Sequence, residues 1–244
     1  MVALLVLVDY DNVDRALSRV GPVNCAKILT RCIPQDVLRN HDSIVVRLYG
    51  GWRSNGRLTT AAQRIVPEIR ACSPTVVSVS GGDPTTAKKL VVELADAPIG
   101  LTTPLDQTLA RDRTLRKFRA NPSALSACVN ISSCGMSQHY ALTHSLACAN
   151  AACSAVLGDL LVRDEQKMVD TLIVADLAHQ VFISKATHIA IVSSDTDLWP
   201  GVLLALRHAC NIHHIHTRNG GRTQRHLLQT LNQKLTGKYA ETSV

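Results

Sequence analysis

Aromatic residues make up only 3% of this 244-residue chain: two Trp, two Phe and four Tyr. A core built almost without them must come from aliphatic side chains. At 46% hydrophobic the chain has enough of these to bury one sizeable domain, or one domain carrying an insertion. Acidic residues are also in short supply, with 19 Asp and Glu against 26 Lys and Arg, a formal charge of +7 and a pI of about 9.1. Such a balance raises the local concentration of polyanions, which makes nucleic acid the first partner to consider, although charge alone identifies none. Long apolar runs are missing. The opening one, Val2 to Val8, is too short to span a bilayer and lacks the basic flank and small-residue cleavage site of a signal peptide. The expectation is a cytoplasmic protein with no membrane partner. Its eight cysteines would then stay reduced, as metal ligands or small buried hydrophobes rather than disulfides.

What is present is an alternation of strands and helices. Val2 to Val8 is continuous and rich in branched residues, the mark of a strand covered on both faces. Similar runs span residues 43–50, 75–82 and 188–195, with a weaker one at 211–217, and segments that read as helices lie at 14–20, 23–40, 58–72, 165–184, 198–210 and 222–235. The pattern predicts an α/β fold with a doubly wound, mostly parallel sheet, whose ligand would sit beyond the carboxyl ends of the strands. The alternation fails between residues 83 and 164, too long a stretch for a loop inside a compact domain. It reads as an insertion, which leaves residues 1–82 and 165–244 as the parent domain.

Acidic clusters stand where a ligand would bind: "DYDN" after the first strand, "SSDTD" after the fourth, and "QKMVDTLIVAD" in a helix. Asp9, Asp195 and Asp197 lie at strand ends, and Asp170 near its helix start could reach the same rim. Four converging carboxylates repel one another unless a cation neutralises them, and hard oxygen ligands select Mg²⁺ or Mn²⁺. The bland alternative is that each is a helix or turn cap. Asp176 falls on the apolar side of its helix, so its carboxylate must be paired, either supporting the metal site from behind or simply satisfied within the core.

The blocks "LLVLVDYDNV", "RLYGGW", "EQKMVDTLIVADL" and "IAIVSSDTDLWPGV" resemble, in this order, the signature blocks of NYN domains, the PIN-like metal-dependent ribonucleases. The resemblance covers about residues 1–80 and 165–217. It implies that Asp9, Asp170, Asp195 and Asp197 bind the metal and that Asn12 is the family's polar residue behind the first strand. The activity it implies is endonucleolytic hydrolysis of RNA, single-stranded or structured. Thr196 stands where Gly is common, and the insertion is foreign to the minimal domain. A different enzyme reading comes from "DYDNV", which satisfies the D-x-D-x-[TV] pattern of haloacid-dehalogenase-like phosphatases, with Asp9 as nucleophile and Asp11 as acid/base. A third reading is a non-catalytic RNA-binding domain that keeps the fold.

Two basic stretches are candidates for RNA contact. Trp52, Arg53 and Arg57 follow the second strand, and an aromatic among arginines suits stacking and phosphate contact, unless the Trp merely packs. Arg218, Arg222 and Arg225 open the last predicted helix. The "HHIH" of residues 213–216 reads as a partly exposed edge strand rather than a metal site, because alternation splits its histidines between two faces. In the insertion, Cys128 and Cys134 are separated by five residues and Cys148 and Cys153 by four, with thirteen between the pairs. The four read either as ligands of a structural Zn²⁺ or as packed cysteines in an Ala-rich helical hairpin.

Overall fold

The structure, a computed structural model, describes residues 3–78, 87–112, 163–166, 168–218 and 221–244. The chain divides into two compact units, Met1–Leu109 with Gln166–Val244, and Ala110–Glu165. It runs through β1 (Ala3–Asp9), α1 (Arg15–Ser18), α2 (Pro22–Arg31), α3 (Gln35–Arg39), β2 (Ser43–Tyr49), β3 (Arg53–Ser54), β4 (Arg57–Leu58), α4 (Thr60–Cys72), β5 (Thr75–Ser78), β6 (Ala87–Leu94) and β7 (Leu109–Asp112). It continues with β8 (Arg163–Gln166), α5 (Val169–Phe182), β9 (His188–Val192), α6 (Trp199–Arg207), β10 (Asn211–His216), α7 (Arg225–Leu228), α8 (Gln233–Thr236) and β11 (Tyr239–Ser243). Among the described residues, β7 and β8 pair only with each other. Cys128, Cys134, Cys148 and Cys153, with the zinc expectation they carry, lie outside the described residues.

Seven strands of the first unit form one sheet in the order β11-β10-β9-β1-β2-β6-β5, parallel throughout except for β5, which pairs antiparallel with β6 at one edge. This is the mostly parallel α/β sheet that the sequence leads one to expect. The unbroken apolar run of β1 has its explanation in the two layers around it. Leu4, Val6 and Val8 pack with Leu17, Val23, Leu29 and Leu38 from α1 to α3. Leu5 and Leu7 pack on the other face with Leu172, Ile173 and Leu177 of α5 and Val202 of α6. A strand buried on both faces keeps no polar alternation.

Several boundaries differ from the sequence reading. Residues 87–109, assigned there to the insertion, belong to the first unit, and β6 lies inside the sheet between β2 and β5. Its two lysines and the broken pattern before it hide it from a search for apolar runs. The helix expected over 23–40 is two helices, because Pro34 has no amide to donate and the chain turns at it before α3. The helix expected over 222–235 is likewise the two short helices α7 and α8. β10 is an interior strand, paired with β9 and β11, and not the edge that "HHIH" suggested. The polar β11, "YAETS", covers it.

Candidate metal centre

Strand order reverses about β1. From it the chain moves to β2 on one side, while β9 joins it from the other. The crevice beyond the carboxyl ends of such a pair is where open α/β sheets bind ligands. Asp9 ends β1, and its alternation with Leu5 and Leu7 turns it toward the α5 side of the sheet. The residues after Val192 of β9 bring Asp195 and Asp197 to the same crevice. α5 precedes the parallel strand β9, so it runs antiparallel to the strands and its first turn lies at their carboxyl ends. That turn holds Asp170.

One carboxylate oxygen each from Asp170, Asp195 and Asp197 lies within 4.8 Å of the other two, a spacing that could hold a divalent cation. Asp170 and Asp195 are half-buried and Asp197 is exposed. Burial, followed by the charges of Asp195 and Asp197, raises the pKa of Asp170 above that of an ordinary carboxyl. Local hydrogen bonds fix the loop after β9: the Asp195 amide donates to Ser193 Oγ at 3.0 Å and the Asp197 amide to Asp195 Oδ1 at 3.0 Å.

Asp9 is not one of the three, but it stands beside them, close enough to feel the charge of Asp170. It is 1% exposed. Its Oδ2 accepts from Asn12 Nδ2 at 2.7 Å and from Ser193 Oγ at 2.9 Å. Its Oδ1 is buried with no hydrogen-bond partner among the described residues. Burial pushes its pKa up to about 6, against the opposing effect of those two hydrogen bonds and with a further rise from Asp170 and Asp11. Asn12 therefore orients Asp9. Asp11 points elsewhere, where its Oδ2 accepts the Gly51 amide at 2.8 Å and so braces the loop after β2. Gly50 makes room for this, since a Cβ there would come within 2.8 Å of the Trp52 ring and 3.0 Å of the Asp11 carboxyl.

Ser193 is a residue that sequence reasoning missed. Besides binding Asp9, its carbonyl accepts from His214 Nε2 at 2.8 Å. A carbonyl only accepts, so Nε2 carries the proton, and the bare Nδ1 accepts from the Tyr239 hydroxyl at 2.8 Å. The Tyr239 oxygen in turn lies 2.5 Å from Thr223 Oγ1. Burial, then the neighbouring His216, lowers the pKa of His214 to about 4, so this ring is neutral at pH 7. The only clue in the sequence is the placement of "SSD" directly after an apolar strand.

The other candidate residues separate into those held and those free to meet a ligand. Trp52 does not present a stacking surface: it is 1% exposed, and its Nε1 donates to the Leu48 carbonyl at 2.6 Å. An indole in a loop this close to the sheet buries its apolar rings and satisfies its one donor. Arg53 is tied down as well, with Nε 2.8 Å from Asp96 Oδ2 and one terminal nitrogen on the Gly56 carbonyl. Arg57, Arg218, Arg222 and Arg225 are exposed or partly so. Asp176 is fully buried, and its partners are core groups: the Tyr49 hydroxyl at 2.6 Å, Arg47 Nε at 3.2 Å and the Ile99 amide at 2.7 Å. Tyr49 lies opposite Asp9 in the β1–β2 register, so Asp176 fixes the neighbouring strand end. No described helix is long and apolar enough to cross a membrane. The chain gives no significant match to models of known protein families, to curated proteins or to solved structures.

Proposed function

We propose that the protein is a metal-dependent endoribonuclease of the PIN-like type, in which Asp170, Asp195 and Asp197 hold Mg²⁺ or Mn²⁺ beside Asp9. The observation that carries this reading is the convergence of the three carboxylate oxygens within 4.8 Å at the point where strand order reverses. A second feature points the same way. Asp9 keeps a buried oxygen without a partner among the described residues next to the cluster, and an ionised carboxylate left so is costly unless a cation neutralises it. A bound divalent cation would supply Lewis acidity and charge neutralisation to a phosphodiester, so no side-chain nucleophile is needed. Asn12 and Ser193 hold Asp9 in place, and the Asp197 amide holds Asp195. Arg218, Arg222 and Arg225 would take the flanking phosphates.

RNA as substrate, and cleavage within the chain, follow from the likeness of the sequence blocks to NYN domains. A phosphatase using Asp9 and Asp11 fits less well, since Asp11 spends an oxygen on the Gly51 amide and Asp9 is buried. A passive RNA binder would gain nothing from acids that repel its ligand.

The test is incubation of the purified protein with labelled single-stranded RNA, structured RNA and DNA in Mg²⁺, Mn²⁺ or EDTA. Cleavage of RNA with either cation, lost in EDTA and in Asp195→Asn, is expected. Cleavage that persists in EDTA through repurification would overturn the metal mechanism, and hydrolysis of small phosphate monoesters lost in Asp11→Asn would favour the phosphatase.

A further inference from the structure

Four exposed arginines, Arg222, Arg218, Arg15 and Arg19, follow one another from the acid crevice over the rim of the sheet, although they come from opposite ends of the chain. Each step is fixed by a contact. Arg222 and Asp195 line one cleft beside the acid cluster. The Gly221 amide donates to the Arg218 carbonyl at 2.8 Å, which closes the turn after β10 and returns Arg222 to the neighbourhood of Arg218. Thr217, next to Arg218, accepts the Asp14 amide on its Oγ1 at 3.2 Å, across 203 residues of sequence. Because β9 lies between β1 and β10, this bond reaches over the end of β9, the strand whose following loop carries Asp195 and Asp197.

Asp14 caps α1, and Arg15 is the first residue of that helix. The Arg19 amide bonds the Arg15 carbonyl, so Arg19 stands one turn further along the same face. Val13 and Leu17 anchor the segment in the core on the α1 side of the sheet. The row thus starts on the side where the acids converge and ends on the other. None of the four guanidinium groups has an ion pair among the described residues. The carboxylates alongside are turned to backbone amides: Asp14 Oδ1 to that of Ala16 at 2.8 Å, and Glu241 Oε2 to that of Thr223 at 3.0 Å. They offset part of the charge and leave the row basic.

We propose that a single strand of RNA crosses the rim of the sheet here, with one phosphate at the acid cluster and the following ones on Arg222, Arg218, Arg15 and Arg19. Guanidinium groups pair with phosphate oxygens two at a time, and a row of them suits a repeating anion rather than a lone one. A single strand can follow the bend over the rim; a duplex is too stiff to do so. The acid-cluster end of this path rests on the nuclease reading, but the arginine row is tested by binding alone.

A short fluorescein-labelled single-stranded RNA is titrated with the purified protein in EDTA at several salt concentrations, and the logarithm of affinity is plotted against that of salt. Arg15→Ala and Arg19→Ala should each make the slope shallower by about 0.7, and Arg15→Ala combined with Arg218→Ala by about 1.4. Arg15→Lys should keep most of the slope, because it keeps the charge. Arg39→Ala and Lys185→Ala, at exposed positions beyond the amino ends of β2 and β9, should leave it unchanged. A slope unchanged in both Arg15→Ala and Arg19→Ala, an equal loss in the two controls, or no binding of RNA at low salt overturns the proposal. The same dependence on Arg15 and Arg19 with duplex RNA or with polyglutamate overturns it as well. A protein that shows these slope changes but cuts no RNA with Mg²⁺ or Mn²⁺ loses the nuclease reading and keeps the row as a binding surface. One that cuts RNA while both α1 variants keep the full slope loses the surface alone.

Discussion

Replacing Asp9 with Asn should stabilise the protein when no metal is bound, and only above a defined pH. Asp9 is buried, keeps one oxygen without a partner among the described residues, and has its pKa raised from 3.8 to about 6. A group whose pKa is raised by folding favours the fold in its protonated form; that contribution is complete below pH 3.8 and is lost as the pH rises through 6. The difference of about 2.2 units, at about 1.36 kcal/mol per unit, makes the wild type about 3 kcal/mol less stable above pH 7 than if Asp9 titrated normally. Asn has the same shape and nothing to ionise. The stability gained by Asp9→Asn should therefore be small at pH 4, grow through pH 5 and 6, and level off near 3 kcal/mol, about 6–12 °C in midpoint for a domain of this size. Urea unfolding in EDTA, followed by circular dichroism at each pH for both proteins, measures it. Carboxylates remote from Asp9 titrate in the same range but cancel in the comparison, while Asp170 and Asp11, which are coupled to Asp9, change with it. A difference that stays flat between pH 4 and pH 8 would refute the claim that Asp9 carries an ionisation penalty in the fold.

Divalent cation should reverse the same penalty in the wild type: Mn²⁺ at a hundredfold excess over its Kd adds about 2.7 kcal/mol. Asp195→Asn and Asp170→Asn should lose that gain in thermal scans, and an equal gain in both variants would count against the three-carboxylate site. Asp176→Leu should cost roughly 3–5 kcal/mol, because it leaves Arg47 and the Tyr49 hydroxyl buried without their acceptor. It also frees the Ile99 amide, so faster hydrogen exchange around residues 95–101 should accompany the loss, with no such change in the loop after β9. Trp52→Phe should lower stability by about 1–3 kcal/mol while leaving RNA affinity at fixed salt within twofold, since its indole fills the core and caps the Leu48 carbonyl. A large drop in RNA affinity with unchanged stability would return Trp52 to the binding surface.

The run of seven apolar residues that ends at Asp9 is enough to determine a covered parallel strand with an acid at its tip, because burial on both faces leaves no other pattern for it. The same logic makes β2 and β9 legible, and with them the crevice where Asp195 and Asp197 fall. Spacing along the chain could not decide which carboxylates meet. That depends on α5 running antiparallel to the strands, which brings Asp170 to the rim, and on the pleat that turns Asp9 toward it. β6 and β11 escaped notice because "AKKLVVEL" and "YAETS" are stabilised as strands by their neighbours in the sheet rather than by their own composition. Trp52 and Arg53 looked like an RNA-binding loop because sequence shows residue types and not which way they face. Only the packing of that loop against β2, and the presence of Asp96 opposite Arg53, turned the first inward and occupied the second. The roles of Ser193 and His214 had almost no local signal. Their contacts form only when a sheet sets β1, β9 and β10 side by side. Ser193 then meets Asp9 and His214, 184 and 21 residues away in sequence, within hydrogen-bonding distance.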